Sequence, residues 1–527
     1  MKKILFLSLS LLTAAGMSAK VTLPSVLGSN MVLQQQCNAN LWGKAAPSKK
    51  VTVTTSWDNR KYTVQAAADS TWKTAVATPA AGGPYSIRII DGEAIVLDNV
   101  MIGEVWICSG QSNMQMPVTG FPGQPVVGSN EAILNGTNSD IRMFVVRREV
   151  SDRPLDDCNT DTGWQEATTE SVAGFTAVGY FFGLNLCKVL GIPIGLIETD
   201  WGGTRIENWM YMETAQKVEP NKVEKDKNHQ APNKTAQLYN AMIHPLVNYT
   251  AQGFIWYQGE SNIHTGNAHL YSQYMQQLVS LWRNEWGNQQ MPFYYVQIAP
   301  FVYEGDDKTS VPLIVEQQLA AMDKIPYSGM ASTTDIGSGP CIHPSQKIPV
   351  GERLALLALS KTYGKKGLIC ESPRFESVRF EDGKAIVRFK PEGTLGPDYS
   401  GRIKGFEIAG ADKIFVPARA EYIVGQPEIA VSSTIVENPV AVRYAFRNVP
   451  DQTTLYNTGG LPAFPFRTGE VFGLLHPVVD SLPCHRYAVL QVSISVCRAS
   501  HSRTLTMLYS EVTTAVRSPI CVKRVLS

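Results

Sequence analysis

At 527 residues the chain is long enough for about three or four domains, and 44% hydrophobic with 18% charged residues describe an ordinary globular protein with material for sizeable cores. A formal net charge of +1 offers no basic field for nucleic acid and no acidic one for cationic partners. The composition therefore points to a neutral or locally recognised substrate.

The amino terminus reads as an export signal: Lys2 and Lys3, an apolar core over residues 4–12, then small residues up to Ser18 and Ala19. Cleavage near Ala19 makes residues 1–19 a signal peptide and the mature protein secreted or periplasmic. That core is well short of the ~20 residues a spanning helix needs, and no later stretch is long enough, so no membrane span is expected. Nine cysteines lie scattered without CxxC pairs; an oxidising compartment permits pairing, the odd number leaves at least one thiol free, and connectivity cannot be deduced. Cys108 and Cys187 sit in apolar runs and read as core residues. The histidines lack ligand spacing, His264 and His269 being five apart in a glycine-containing loop, so no metal and no cofactor is expected.

Residues 20–100 read as a β-sandwich domain. Val51, Val53 and Thr55 alternate with Thr52, Thr54 and Ser56, and further short strands over 62–66 and 85–90 are separated by Asp58-Asn59 and Gly82-Gly83-Pro84. Such a module either binds glycans or braces the next domain, and bracing is the expectation. From 101 to 365 the rhythm becomes alternating: a strand ending near Cys108, a helix over 175–190 stopped by Gly191, a strand 192–198, a helix 237–247, a strand 253–257, a helix 271–286, a strand 293–298, a helix 313–322, a strand 330–334 and a helix 349–362. This order predicts an α/β domain with a parallel sheet and helices on both faces. Residues 366–468 turn β-rich again, and 469–527 form an atypical basic tail holding three of the cysteines.

The strand ends carry the chemistry. Met101 to Pro117 passes from an apolar run into Ser109-Gly110-Gln111-Ser112-Asn113-Met114, a strand running into a tight turn. A side chain there stands at the rim where open α/β sheets place their sites. Ser112 is the candidate nucleophile, although Ser is also a preferred helix N-cap. Two further strand ends carry Asp200-Trp201-Gly202-Gly203-Thr204 and Gln258-Gly259-Glu260-Ser261-Asn262; the last leads to Cys341-Ile342-His343-Pro344. Right-handed crossovers bring such ends to one rim, so His343 is expected to meet Ser112 there, as a nucleophile's base must. His-Pro also occurs at His244, inside a helical pattern, and at His476, in the tail. The GxSxG elbow of ordinary α/β-hydrolases is absent.

Taken together, GQSNM at 110–114, DWGGT at 200–204, WYQGESN at 256–262 and IHP at 342–344 resemble the sialate O-acetylesterase family of SGNH-hydrolase carbohydrate esterases, over roughly residues 20–468. The resemblance implies an SGNH-type parallel sheet flanked by β-rich, sandwich-like amino- and carboxyl-terminal domains, and a serine acyl-enzyme with Ser112 as nucleophile and His343 as general base. It further implies an oxyanion hole from the Ser112 and Gly203 amides with the Gln258 or Asn262 side chain. The expected partner is an O-acetylated sugar, with acetylated sialic acids first, xylan-type polysaccharide second, and a non-catalytic glycan-binding protein as the other class.

One position departs from the family pattern. Where relatives carry an acid two residues before the histidine, this chain has Cys341, and a neutral thiol cannot offset an imidazolium charge as a carboxylate does. Asp335 reaching across the glycine-rich turn, another carboxylate such as Glu260, or a dyad held by a backbone carbonyl remain open, with Asp335 or the dyad expected. For the substrate, Trp201 and Trp256 are candidate sugar platforms, though aromatic residues more often pack sheet edges. Arg205 is a candidate partner for a sialate carboxylate, with an internal salt bridge to Glu207 or Glu198 as its alternative.

Overall fold

The structure, a computed structural model, describes residues 20–469 apart from 228, 264, 306–307, 338, 391–394, 398–400 and 451. The expected signal peptide at 1–19, the tail from 470, His264, Ser338 and His476 lie outside the described residues. One 17-residue strand, Ala94–Gly110, organises the rest. Its last seven residues lie parallel to Ile194–Asp200 on one side, and its last five to Gly253–Tyr257 on the other. Phe293–Val296 and Ser328–Ala331 extend the sheet outward beyond Gly253–Tyr257, and Asn138–Val145 beyond Ile194–Asp200, all parallel. Gln165–Ala167 closes the far edge antiparallel.

Alternation along these strands decides why helices cover both faces, since successive side chains point to opposite sides of a sheet. Trp106 and Cys108 join Leu196, Ile255 and Tyr294 in a core with the helices Ala177–Leu190 and Ile348–Leu357. Val105 and Ile107 join Ile197, Phe254 and Phe293 in another with Tyr271–Glu285 and Ser310–Lys324. All of these side chains are buried, as expected of strands covered on both faces. The expected helix–strand alternation is thus present. The strands Asn138–Val145 and Gln165–Ala167, which the sequence pattern does not announce, add one edge. The expected helix near 237–247 is a π turn, Tyr239–Ile243, followed by a separate 3-10 turn, His244–Leu246, with Pro245 in its first positions; a proline lacks the amide that would continue the preceding helix.

The expected boundary at residue 100 falls inside the long strand. Its first half pairs antiparallel with Gly82–Ile90, which pairs with Lys50–Thr55, while Asn38–Lys44 and Thr71–Ala77 form the opposing two-stranded layer. Beyond residue 370, two four-stranded sheets enclose a third core that includes Phe389, Phe406, Ile429 and Tyr444. This β-rich part is fastened to the central one by Arg467 on Glu316 and by Asn448, whose Oδ1 accepts from the Val311 amide at 2.8 Å.

Candidate active site

In register, Gly110 stands beside Asp200 on one side and Tyr257 on the other, so three strands end level with one another. Gly110 has φ +148°, and a Cβ there would lie 2.2 Å from the Tyr257 carbonyl oxygen; only glycine permits that approach. The backbone then turns through Gln111 into the short helix Ser112–Gln115. Gln111, not Ser112, is the N-cap and makes no side-chain cap bond. Ser112 is half-buried, and among the described residues neither its Oγ nor its amide has a hydrogen-bond partner. The N-cap role weighed for Ser112 is therefore not the one it fills.

The turn after Asp200 forms the adjoining wall. A Cβ on Gly202 would lie 3.1 Å from the Ser112 Cβ and 2.9 Å from Gln115 Oε1. The Gly202 amide donates to that same Oε1 at 2.7 Å, fixing the turn against the serine's own helix. Gly203, exposed and at φ +74°, carries an amide with no acceptor among the described residues. Two unpaired amides, those of Ser112 and Gly203, thus belong to adjoining turns of the rim.

His343 arrives on the loop that precedes the helix Ile348–Leu357. The link to Ser112 runs through the next residue: Asn113 Nδ2 donates to the Ile342 carbonyl at 3.1 Å and to Glu260 Oε1 at 2.6 Å, while its Oδ1 accepts from Lys347 Nζ at 2.5 Å. Asn113, Glu260 and Lys347 are all buried, and the Lys347 ammonium also lies 5.5 Å from the centre of the Tyr257 ring. Burial pushes the Lys347 amine down to about 7 and the Glu260 carboxyl up. His343 is itself lowered to about 4, by burial first and by the Lys347 charge second, so its imidazole is neutral in ordinary buffers. Its Nδ1 lies 2.7 Å from Gln124 Oε1, and the Phe121 ring meets it edge-on with centroids 5.2 Å apart.

Several expected residues are placed elsewhere. Asp335 does not orient His343: both of its oxygens accept from Arg353, at 2.8 and 2.7 Å. Glu260 is spent on Asn113. Cys341 Sγ faces the His343 backbone carbonyl at 3.3 Å and not the ring. Gln258 and Asn262 are completely buried and committed: Gln258 Nε2 donates to the Thr204 carbonyl and to Asn262 Oδ1, and Asn262 Nδ2 donates to Glu207. With Asn262 Oδ1 also accepting from the Ile206 amide, this pair holds the backbone behind Gly203 and presents no amide to an oxyanion.

Arg205 is likewise interior. It is buried among Glu207, Asp226 and the Asn233 carbonyl, the internal salt bridge considered as its alternative. Trp256 is fully buried, packed edge-on to Trp209 and Trp282 at 6.2 and 5.7 Å, so it is core and no sugar platform. Trp201 alone of the aromatic candidates stays partly open at the rim. Sequence reasoning missed Gln124, Phe121 and Lys347. The Pro122-Gly123 pair signals a tight turn, but nothing in it says which loop the turn faces.

Among the described residues no helix is long and apolar enough to cross a membrane. Residues 102–360 match the model of the family described as carbohydrate esterase, sialic acid-specific acetylesterase. The chain is 30% identical to the sialate O-acetylesterase of Homo sapiens over 487 residues, 84% of this chain and 91% of that one. It is 28% identical to the Mus musculus sialate O-acetylesterase over 512 residues, 84% of this chain and 93% of that one. The crystal structure of a carbohydrate acetylesterase from Xanthomonas citri is similar at TM-score 0.78 and 36% identity, covering 85% of this chain and 99% of that one. The chain belongs to the sialate O-acetylesterase family of carbohydrate esterases, and it is a carboxylic-ester hydrolase with the α/β architecture of that group.

Proposed function

We propose that this protein removes O-acetyl groups from sialic acids through a serine acyl-enzyme. The observation that carries the reading is the convergence at one rim of Ser112, the Gly202–Gly203 turn and the His343 loop, tied together by Gln115 on Gly202 and Asn113 on Ile342. Ser112 Oγ attacks the acetyl carbonyl as His343 Nε2 takes its proton. The Ser112 and Gly203 amides receive the oxyanion, and His343 returns the proton to the departing sugar hydroxyl. Water, activated by the same imidazole, then releases acetate from Ser112. Preorganised amides of this kind are worth ~10²-fold or more each in turnover.

A second substrate reading, acetylated neutral polysaccharide of the xylan type, is favoured by the fate of Arg205. The guanidinium that would have met a sialate carboxylate is committed to Glu207 and Asp226. The Lys-rich, apolar and small-residue sequence of residues 1–19 supports export, with action outside the cytoplasm or in the periplasm. Hydrolysis of p-nitrophenyl acetate that disappears in Ser112→Ala supports the esterase, and full activity in that variant would exclude the serine route. Acetate release from O-acetylated sialic acid against acetylated xylan decides between the substrates.

A further inference from the structure

Within the serine mechanism proposed above, on which this inference rests, His343 faces an unusual deficit. Among the described residues no carboxylate reaches its ring. Asp335 is paired with Arg353, Glu260 with Asn113, and position 341 is a thiol turned to the backbone. Yet an imidazole that serves as a base must keep its proton on Nδ1 and its lone pair on Nε2, and some acceptor must hold it so.

We propose that Gln124 is the positioning residue of His343, its amide oxygen accepting the Nδ1 proton and leaving the Nε2 lone pair to face Ser112. The loop that presents it is built for the purpose. Phe121 and Gln124 exchange backbone hydrogen bonds of 3.1 and 2.8 Å across Pro122-Gly123, with Gly123 at φ +73°, the arrangement a two-residue turn with proline then glycine adopts. The turn sends both flanking side chains to one target, the Phe121 ring against the imidazole edge and Gln124 Oε1 against Nδ1 at 2.7 Å. The Val127 amide, donating to the Ser345 carbonyl at 2.9 Å, binds this loop to the loop of His343.

The consequence is electrostatic as well as geometric. A neutral amide fixes the tautomer but adds no negative charge to stabilise imidazolium. The groups the structure sets against the ring are Phe121 and Gln124 from the turn, with the Lys347 charge from its own loop acting on it; the Cys341 thiol is turned to the backbone carbonyl, and Glu260 reaches the ring only through Asn113 and Lys347. The ionised group acting on the imidazole is therefore the Lys347 cation, and the base stays unprotonated far into acid.

The test is the pH profile of kcat/KM on p-nitrophenyl acetate for the full chain and two variants. Gln124→Glu sets a carboxylate on Nδ1 and is expected to move the acid limb up by about one pH unit or more while keeping turnover at pH 8. Gln124→Leu, which keeps the bulk and removes the acceptor, is expected to lose about tenfold or more in kcat with KM changed little. An unmoved limb in Gln124→Glu, or wild-type kcat in Gln124→Leu, would overturn the assignment. Should either variant fold poorly, nitrogen NMR of the unaltered protein, assigned with His343→Gln, decides it: a proton on Nδ1 supports the role and a proton on Nε2 refutes it. Full activity in Ser112→Ala would instead remove the serine mechanism itself, whereas an inactive Ser112→Ala beside indifferent Gln124 variants sinks only the present inference.

Discussion

Lys347 donates from a fully buried ammonium to Asn113 at 2.5 Å, so the bond joins a residue next to Ser112 to one four positions after His343. A cation held there with no direct carboxylate partner among the described residues disfavours any second positive charge nearby, and the second charge in question is the imidazolium of His343.

In the proposed mechanism His343 must be neutral to take the serine proton, and its lowered titration, to about 4 from an ordinary 6.5, leaves it so over most of the acid range. The kcat/KM profile on a small acetate ester is expected to hold to roughly pH 5 before falling; an acid limb between pH 6 and 7 would contradict it.

Replacing Lys347 by methionine removes the cation, so His343 should titrate higher and the acid limb should move up. The same substitution bears on stability. The folded-state amine is depressed to about 7 from 10.5, so between those values the unfolded chain binds more protons and stability rises with pH. Denaturation midpoints should climb from pH 7 towards pH 10 in the parent, and that increment should be missing in Lys347→Met.

Asp335→Asn separates structure from chemistry. Loss of the bidentate contact with Arg353 should lower stability by about 1–3 kcal/mol, read from urea midpoints, while kcat/KM stays within about threefold because the carboxylate does not touch His343. A large loss of turnover in a stably folded variant would return Asp335 to the catalytic group.

Gly202→Ala places a methyl carbon 2.9 Å from Gln115 Oε1 and 3.1 Å from the Ser112 Cβ. Both belong to the helix Ser112–Gln115, so one of them must move. Displacements on the ångström scale cost ~10²-fold in rate; kcat should fall by about that much with little change in thermal midpoint.

Arg205→Ala should act through folding and not through substrate. Removing a buried guanidinium leaves Glu207 and Asp226 short of a partner, a loss of about 3–5 kcal/mol. KM for O-acetylated sialic acid and for a neutral acetyl ester should change alike; a selective rise for the sialate would place Arg205 in recognition after all.

The architecture was legible where burial has a period. Trp106 and Cys108 against Val105 and Ile107 announce a strand covered on both faces, and Gly191 stops the helix Ala177–Leu190 in the left-handed conformation the sequence foresees. The motif residues were legible as neighbours but less so as roles. Gln258, Asn262 and Arg205 are polar side chains at strand ends, and polarity at a rim suggests contact with substrate. In the folded chain each is buried and satisfied by groups from distant segments: Gln258 by Thr204, Asn262 by Glu207, Arg205 by Asp226. Which hydrogen bonds close is settled by three-dimensional packing that no local spacing encodes. The same holds in reverse for Gln124, which belongs to no motif and reaches His343 across 219 positions.

The strand Ala94–Gly110 runs as a single beam from the amino-terminal β layer to the foot of Ser112. A truncated enzyme begun at residue 101 would cut that beam at its middle and strip it of most of its antiparallel contact with Gly82–Ile90. The two halves therefore share one fate on unfolding, and the β layer cannot be exchanged or deleted as a detachable module: it is the abutment from which Ser112 is cantilevered.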